Sequence, residues 1–283
     1  MLKKARLFIY IMIPIILISG GWGLFNHFIR PHHYQLLFPY SIFMFRGENA
    51  TQTKIGSDNK NKIRIPGGYA IIGKDEMKEK QWFEDFWIDQ IPVTVKEYKN
   101  FLNESNYYLS PRYHDDYQKY WDQKAYELLP VVFVSWGQAE DYCEFYGGHL
   151  PTEGQWEKAA RGTEGVVLQW DDSKKAFNMA NYDDFYNGKT FSGWLPAGKT
   201  SYGLMDISGN VREWVLDWLY ETDQPVSSKP WKEIRSGEYS PLGRILKGGS
   251  YIDDVSHLRL YARDWHDPNS PGFNRGFRCV YEK

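Results

Sequence analysis

Short hydrophobic patterns, separated by glycine and proline, dominate the chain after about residue 60. Between residues 136 and 146, apolar side chains recur at the i, i+3, i+4 and i+7 spacing of one helix face. Ser135 stands at the N-cap position and Gly147 follows the last turn, and these residue types begin and end helices. The predicted buried face consists of Ala139, Tyr142, Cys143 and Tyr146.

Capping residues predict two further helices. Thr152 with Gln155 three positions later forms a capping-box pattern, and Gly162 is the expected end of that helix. Thr94 and Glu97 form the same pattern earlier in the chain. One face of this earlier helix carries Tyr98, Phe101 and Leu102.

Short extended segments account for the other predicted elements. Pro66-Gly67-Gly68 predicts a turn into a strand, and residues 83–89 and 130–134 predict two more strands. Residues 276–280 predict a closing strand that returns the end of the chain to the core. Residues 163–198 are rich in asparagine, aspartate and glycine, which predicts loops. The 12 Trp and 21 Tyr also favour a loop-rich domain.

The first 30 residues differ in composition from the rest. Lys3, Lys4 and Arg6 precede residues 7–25, a span of 19 residues without charge. That length crosses a bilayer as a helix, and the basic flank predicts a cytoplasmic N-terminus. We therefore predict a single-pass anchor in the cell (inner) membrane, with the remainder extracytoplasmic or periplasmic. A cleaved signal peptide is the alternative interpretation.

The chain between the span and the domain is expected to act as a tether. Residues 31–62 are polar except for an apolar patch at 36–45, which is too short to cross the membrane again. This patch either lies on the membrane or packs on the domain. The predicted organisation is basic flank and anchor over 1–30, tether over 31–62 and folded domain over 63–283.

Charge and cysteine content exclude some function classes. The formal net charge is −2 and no basic stripe is present, which argues against a nucleic-acid partner. The chain has 2 cysteines, Cys143 and Cys279, and no Cys-x-x-Cys spacing. A cysteine-rich zinc site is therefore excluded.

Four segments in this order resemble the formylglycine-generating-enzyme (sulfatase-modifying factor) domain family. The resemblance extends from about Ile63 to Val280 and implies one α+β domain of low regularity, a variant of the C-type-lectin fold. This domain would follow the N-terminal transmembrane helix that the span 7–25 predicts. The segments are Pro66-Gly67-Gly68, Leu150-Pro151-Thr152-Glu153 with Ala160-Arg161-Gly162, Gly203-Leu204 with Gly209-Asn210-Val211-Arg212-Glu213-Trp214, and Gly248-Gly249-Ser250 with Gly276-Phe277-Arg278-Cys279.

The resemblance implies that the oxidative chemistry of the family is missing. Formylglycine-generating enzymes use two cysteines shortly after Gly-Gly-Ser to bind copper and activate oxygen, and Asp253 and Leu258 occupy the matching positions here. Copper(I) needs soft ligands, so copper is not expected. His257 and His266 lie nearby and are either metal ligands or, as we favour, structural or solvated side chains.

Two structural features are also implied. Cysteines that match Cys143 and Cys279 form a disulfide in the family, and the alternative is two buried thiols. An oxidising compartment would permit the bond. A structural calcium site is implied at Asn181, Tyr182, Asp183 and Asp184, whose oxygens are hard ligands, with a second near residues 200–203. The alternative is a turn region without an ion.

We therefore expect a non-catalytic binding or accessory module for an unidentified protein or small-molecule ligand. The alternatives are an enzyme with altered chemistry, as in relatives that act in siderophore maturation, and a misaligned oxidase, which fails because no third cysteine exists. Glu213 and Arg278 are expected in the core. The candidate pocket consists of Asp253, Asp254, His257, Arg259, Arg263 and Trp265.

Overall fold

The structure is a computed structural model that describes residues 52–53, 61–74, 77–105, 121, 123–171, 173–220 and 242–282. Long connections join short elements, as the composition predicts. The described residues form ten strands and three α-helices: β1 Gln52–Thr53, β2 Lys62–Ile65, β3 Gly68–Ile72, β4 Glu79–Phe83, β5 Phe86–Asp89, α1 Val95–Ser105, α2 Trp136–Phe145, α3 Glu153–Arg161, β6 Arg212–Leu219, β7 Gly243–Lys247, β8 Asp264–His266, β9 Arg275–Gly276 and β10 Val280–Tyr281.

The N-terminal predictions lie mostly outside the described residues. The predicted span 7–25 and nearly all of the predicted tether 31–62 lie outside the residues that the structure describes. Within the described ranges, no helix is long and apolar enough to cross a membrane. β1 lies inside the predicted tether and pairs with β2, so the sheet begins earlier in the chain than the predicted boundary at residue 63.

Two four-stranded sheets and one hairpin make up the strands. The first sheet has the order β1-β2-β5-β10, and the second has the order β8-β7-β6-β9. β10 pairs antiparallel with β5, and β9 pairs parallel with β6. The predicted closing strand 276–280 is therefore two short strands, one in each sheet. β3 and β4 form a separate antiparallel hairpin.

Two strand predictions need correction. Residues 83–89 are not one strand, because β4 ends at Phe83 and β5 begins at Phe86. Residues 130–134 are a buried connection with one isolated bridge at Pro130. Phe133 adopts φ 60°, and its N–H donates to the carbonyl of Gly272, so this segment cannot continue a ladder.

The three helix predictions are confirmed. Ser135 and Thr152 each form a complete capping box at the start of α2 and α3. At α1, the N–H of Glu97 donates to Thr94 Oγ1 (3.3 Å), and the N–H of Thr94 donates to Glu97 Oε2 (2.7 Å). These bonds satisfy helix N–H groups that have no partner within the helix.

A disulfide joins Cys143 on α2 to Cys279 before β10, as the family resemblance implied. Both residues are fully buried in a core rich in aromatic rings. Tyr142 stacks on Tyr98 with a centroid separation of 5.8 Å and meets Phe277 edge to face at 5.2 Å. The disulfide therefore ties the C-terminal segment to the helix that covers this core.

A buried ion network joins α3 to the second sheet. Lys247 Nζ lies 3.1 Å from Glu153 Oε1 and 2.9 Å from Glu157 Oε1. Burial alone would raise the pKa of Glu153, but Lys247 and Arg263 outweigh burial and lower that pKa. The N–H of Glu153 donates to Asp217 Oδ2 (2.6 Å). Burial, together with the neighbouring Glu153 carboxylate, raises the pKa of Asp217 to about 7.

Removal of the disulfide should destabilise the domain. The bond joins residues 136 positions apart. In the chain-entropy model, loss of a cross-link that closes so long a loop lowers the free energy of unfolding by about 4 to 5 kcal/mol. We expect this loss in urea denaturation of the Cys143→Ala/Cys279→Ala variant and in reduced wild-type protein. Two alkylatable thiols in the unreduced protein would contradict the bond.

Asp217 should make stability fall as pH rises. Its pKa in the folded protein is about 7, against about 3.9 in an unfolded chain. Between about pH 4 and pH 7, the native state therefore holds a proton that the unfolded state has already released. The free energy of unfolding falls as pH rises through that window. Asp217→Asn keeps an oxygen acceptor but cannot ionise. As pH rises across the window, we expect the unfolding free energy of Asp217→Asn to increase relative to that of wild type by up to roughly 4 kcal/mol.

Urea denaturation at several pH values measures this difference. Asp184→Asn, which changes an exposed carboxylate, is the matched control and should follow wild type. A constant difference between Asp217→Asn and wild type from pH 4 to pH 8 would show that Asp217 does not titrate in this window.

Candidate functional site

The candidate site is the loop that follows β7. Gly248 and Gly249 open it at φ 89° and 69°, a region that side chains disfavour. A Cβ at Gly248 would lie 2.9 Å from the carbonyl oxygen of Ile207, and one at Gly249 would lie 2.9 Å from that of His257. The two glycines therefore let the loop pack closely against neighbouring backbone.

Asp253 is fixed at the centre of this loop by three hydrogen bonds. Its Oδ2 accepts from the N–H (2.7 Å) and hydroxyl (2.6 Å) of Ser250, and its Oδ1 accepts from Arg212 (2.7 Å). The Asp253 side chain is 9% exposed. Asn274 donates to Ser250 Oγ (3.1 Å), and Arg212 also pairs with Asp264 (2.9 Å). Asp253 thus belongs to a hydrogen-bonded cluster that is largely closed to solvent.

Leu258, the other residue that the resemblance singles out, lies in an apolar cluster. Its side chain is 0% exposed and packs with Ala180 and Tyr182. An aliphatic side chain in such surroundings supplies no proton, no nucleophile and no metal ligand. The two positions therefore hold an ion-paired carboxylate and a buried hydrocarbon.

The candidate pocket residues differ in exposure. Arg263 is half-buried and forms a bidentate pair with the buried Glu153 at 2.7 and 2.8 Å. Arg259 is half-buried, whereas Asp254, His257 and Trp265 are exposed. Asp254, His257 and Trp265 are therefore the members of the predicted set that are most accessible to a ligand.

Two exposed residues of the loop form a pair. His257 Nδ1 lies 3.2 Å from Asp254 Oδ1. Hydrogen bonds from Ser256, with a further contribution from His257, lower the pKa of Asp254 to about 2. Asp254 is therefore a carboxylate at all physiological pH values. Burial and the nearby Arg275 lower the pKa of His266, which keeps that imidazole neutral near pH 7.

Sequence reasoning missed the partners of Asp253. Ser250 stands three positions before it, which is the spacing of a local side-chain-to-backbone turn, and this spacing could have been recognised. Arg212 and Asn274 are 41 and 24 positions from the residues that they contact. No local pattern identifies such partners.

The predicted calcium ligands are partly committed to other contacts. Asp183 and Asp184 occupy a tight turn at φ 55° and 49°, which Phe185 N–H closes onto the carbonyl of Tyr182 (3.1 Å). The Asp183 carboxylate pairs with Lys175 at 2.7 Å, and the Tyr182 hydroxyl accepts from the N–H of Ala176. Asn181 Oδ1 is buried without a hydrogen-bond partner and Asp184 is exposed, so both side chains offer oxygens that are suited to an ion.

Calcium takes six to eight oxygens, so backbone carbonyls would have to supply the ligands that these two side chains do not. No step of function is derived from calcium. In the predicted second site, the carbonyl of Thr200 accepts from the N–H of Gly203. Structural calcium stays a prediction.

The donor set does not fit copper. Both cysteines of the chain are joined to each other in the core, so neither offers a thiolate. Over the described ranges, no three His, Cys, Asp or Glu side chains are grouped as metal ligands would be. Among the described residues, His257 and His266 thus belong to no group of three such side chains that could hold a metal ion.

Known proteins resemble this chain in sequence and in fold. The inactive C-alpha-formylglycine-generating enzyme 2 of Mus musculus is 27% identical, over 77% of this chain and 84% of that protein. The formylglycine-generating enzyme of Mus musculus is 32% identical, over 53% of this chain and 44% of that protein. The solved structure of PvdO from Pseudomonas aeruginosa superposes with a TM-score of 0.67 at 21% identity and covers 84% of this chain and 100% of PvdO.

The sulfatase-modifying factor enzyme 1-like domain family matches residues 47–283, most of the chain. The match also includes β1, in agreement with an N-terminal boundary before residue 63. The chain therefore belongs to the sulfatase-modifying factor (formylglycine-generating-enzyme-like) family.

Proposed function

We propose that this chain is a membrane-anchored, extracytoplasmic binding or accessory module that does not oxidise cysteine. The observation that carries the proposal is the disulfide between Cys143 and Cys279. It occupies the 2 cysteines of the chain, which leaves no thiol to bind copper or to accept oxygen chemistry.

The loop after β7 supports the proposal. If Asp253 and Leu258 replace the cysteine pair of the family, the reacting groups are exchanged for an ion pair with Arg212 and for apolar packing. Both replacements are satisfied by their surroundings. The fold can therefore keep the geometry of this loop without performing the reaction.

The relatives include a protein named inactive and a protein named as an enzyme, which is compatible with the proposed function. The mouse protein that aligns over most of this chain is named inactive, whereas the mouse formylglycine-generating enzyme aligns over about half of it. A member that binds without oxidising is thus consistent with the relatives, and its ligand is a protein or a small molecule.

The contact surface in this proposal is a rim formed by exposed residues of the loop after β7, of β8 and of the segment before β9. Ile252 and Phe273 are large apolar side chains with 44% and 46% exposure, and Trp265 is 42% exposed. Asp254 and His257 lie on the loop after β7 and are exposed. A mixed apolar and polar rim of this kind suits recognition of a ligand surface.

One observation favours a second candidate, an enzyme with altered chemistry. The Asp254 carboxylate contacts His257 at Nδ1, which leaves Nε2 of an exposed imidazole as a proton acceptor. The two candidates differ in one respect. His257→Ala would leave binding by a rim of apolar contacts largely intact but would abolish turnover.

The anchor and compartment are part of the proposal. They are supported by the uncharged span 7–25 with its basic flank, and by the disulfide, which persists in oxidising compartments.

The chain should not generate formylglycine. We expect no formylglycine product from a Cys-x-Pro-x-Arg peptide incubated with the full chain, copper and oxygen, because the chain has no thiol available for the reaction. Mass spectrometry of the peptide measures the outcome. An active formylglycine-generating enzyme in parallel provides the positive control, and a formylglycine product with this chain would disprove the proposal.

The domain should lie outside the cytoplasm. Alkaline phosphatase fused after Lys283 should be active, because that enzyme forms its disulfides in an oxidising compartment. β-Galactosidase at the same position should be inactive. Deletion of residues 1–30 is the matched control and should abolish phosphatase activity. Activity of the β-galactosidase fusion alone would place the domain in the cytoplasm.

A further inference from the structure

The β3–β4 hairpin presents two faces of different character. Its inner face contributes Ala70, Ile72 and Phe83 to a small buried cluster. On the outer face, Tyr69 and Trp82 stand directly opposite each other in the strand register, and each is 53% exposed. They are the two most exposed large hydrophobic side chains among the described residues.

The outer pair is ordered by contacts within the hairpin. The two rings meet edge to face at 5.1 Å, and Lys80 Nζ lies 4.9 Å from the centre of the Tyr69 ring. Such cross-strand contacts add to the stability of a hairpin. They still leave about half of each side chain in water.

The chemistry of this face matches the boundary between lipid and water. Tryptophan and tyrosine have an apolar body with a polar edge, and they are enriched where headgroups meet acyl chains. Lysine can extend its ammonium group toward the headgroups while its stem stays in apolar surroundings. Tyr69, Trp82 and Lys80 combine these properties on one exposed strand surface.

The acidic residues beside the pair are engaged locally. Asp85 pairs with Arg64 at 3.1 Å, and Glu84 accepts a hydrogen bond from Trp82 Nε1 at 3.3 Å. Arg64 offsets the charge of Asp85, whereas the hydrogen bond from the neutral indole leaves the charge of Glu84 in place. The repulsion from anionic lipid is thereby reduced at Asp85.

The length of chain before the hairpin leaves it within reach of the membrane. About 36 residues separate the end of the predicted span at residue 25 from β2, and the hairpin follows β2 directly. A chain of that length reaches at most roughly 120–130 Å when fully extended. A domain of about 220 residues has a diameter of roughly 35–45 Å. The hairpin is thus within reach of the bilayer, and tethering to the membrane raises the effective concentration for a weak contact there.

We propose that the outer face of the β3–β4 hairpin, formed by Tyr69, Trp82 and Lys80, contacts the headgroup boundary of the membrane that anchors the chain. This contact orients the domain relative to the bilayer. The inference rests on the proposed membrane anchor and goes beyond it, because an anchor with a long tether does not by itself set an orientation.

Tryptophan quenching in the full chain tests this contact. The chain is inserted into nanodiscs of phosphatidylcholine and phosphatidylglycerol that contain a lipid with a nitroxide near its headgroup. We expect Trp82→Phe to remove one component of the lipid-quenched emission. Trp265→Phe, which changes another exposed tryptophan, is the matched control and should keep the quenching of wild type. Trp22 contributes equally to all three proteins.

The possible outcomes separate the two proposals. A chain that does not enter nanodiscs contradicts the anchor and, with it, this inference. An inserted chain whose quenching is the same in Trp82→Phe and Trp265→Phe contradicts the membrane contact alone and leaves the hairpin face to a protein partner. Circular dichroism of both variants verifies that the fold is retained.

Discussion

The ion pair between Arg278 and Glu213 is the interaction on which both large sheets depend. Arg278 lies between β9 and β10, and Glu213 lies on β6. Arg278 donates twice to Glu213, at 2.7 Å each, and its other hydrogen bonds reach the carbonyls of Asp89, Gln90 and Met205. The five N–H groups of the guanidinium are therefore all satisfied, which is the condition under which a buried ion pair is tolerated.

The candidate site is organised in the same way on a smaller scale. Asp253 receives its hydrogen bonds from Ser250 and Arg212, and Asn274 completes the cluster. A polar cluster whose members satisfy one another does not depend on a metal or a reacting group for its shape. A family scaffold can thus keep its loop while its chemistry changes, which is the basis of the non-oxidase function that we propose.

The sequence predicts those parts of the fold that depend on neighbours along the chain. The helices at Ser135 and Thr152 begin where their capping boxes indicate, because cap and partner are three residues apart. Residues 130–134 fail as a strand, because the N–H of Phe133 finds its acceptor in Gly272, far along the chain. The pair between Arg263 and Glu153 was missed for the same reason, since the two residues are 110 positions apart. Composition alone does not reveal such long-range pairs.

The division of the last strands between two sheets has a consequence for the order of events during synthesis. β9 completes the edge of one sheet, β10 completes the edge of the other, and Arg278 and Cys279 lie between them. None of these contacts can form until residues 275–281 have left the ribosome and any translocation channel. A domain built in this way emerges as an open chain, so it depends on protection from aggregation until its final segment arrives.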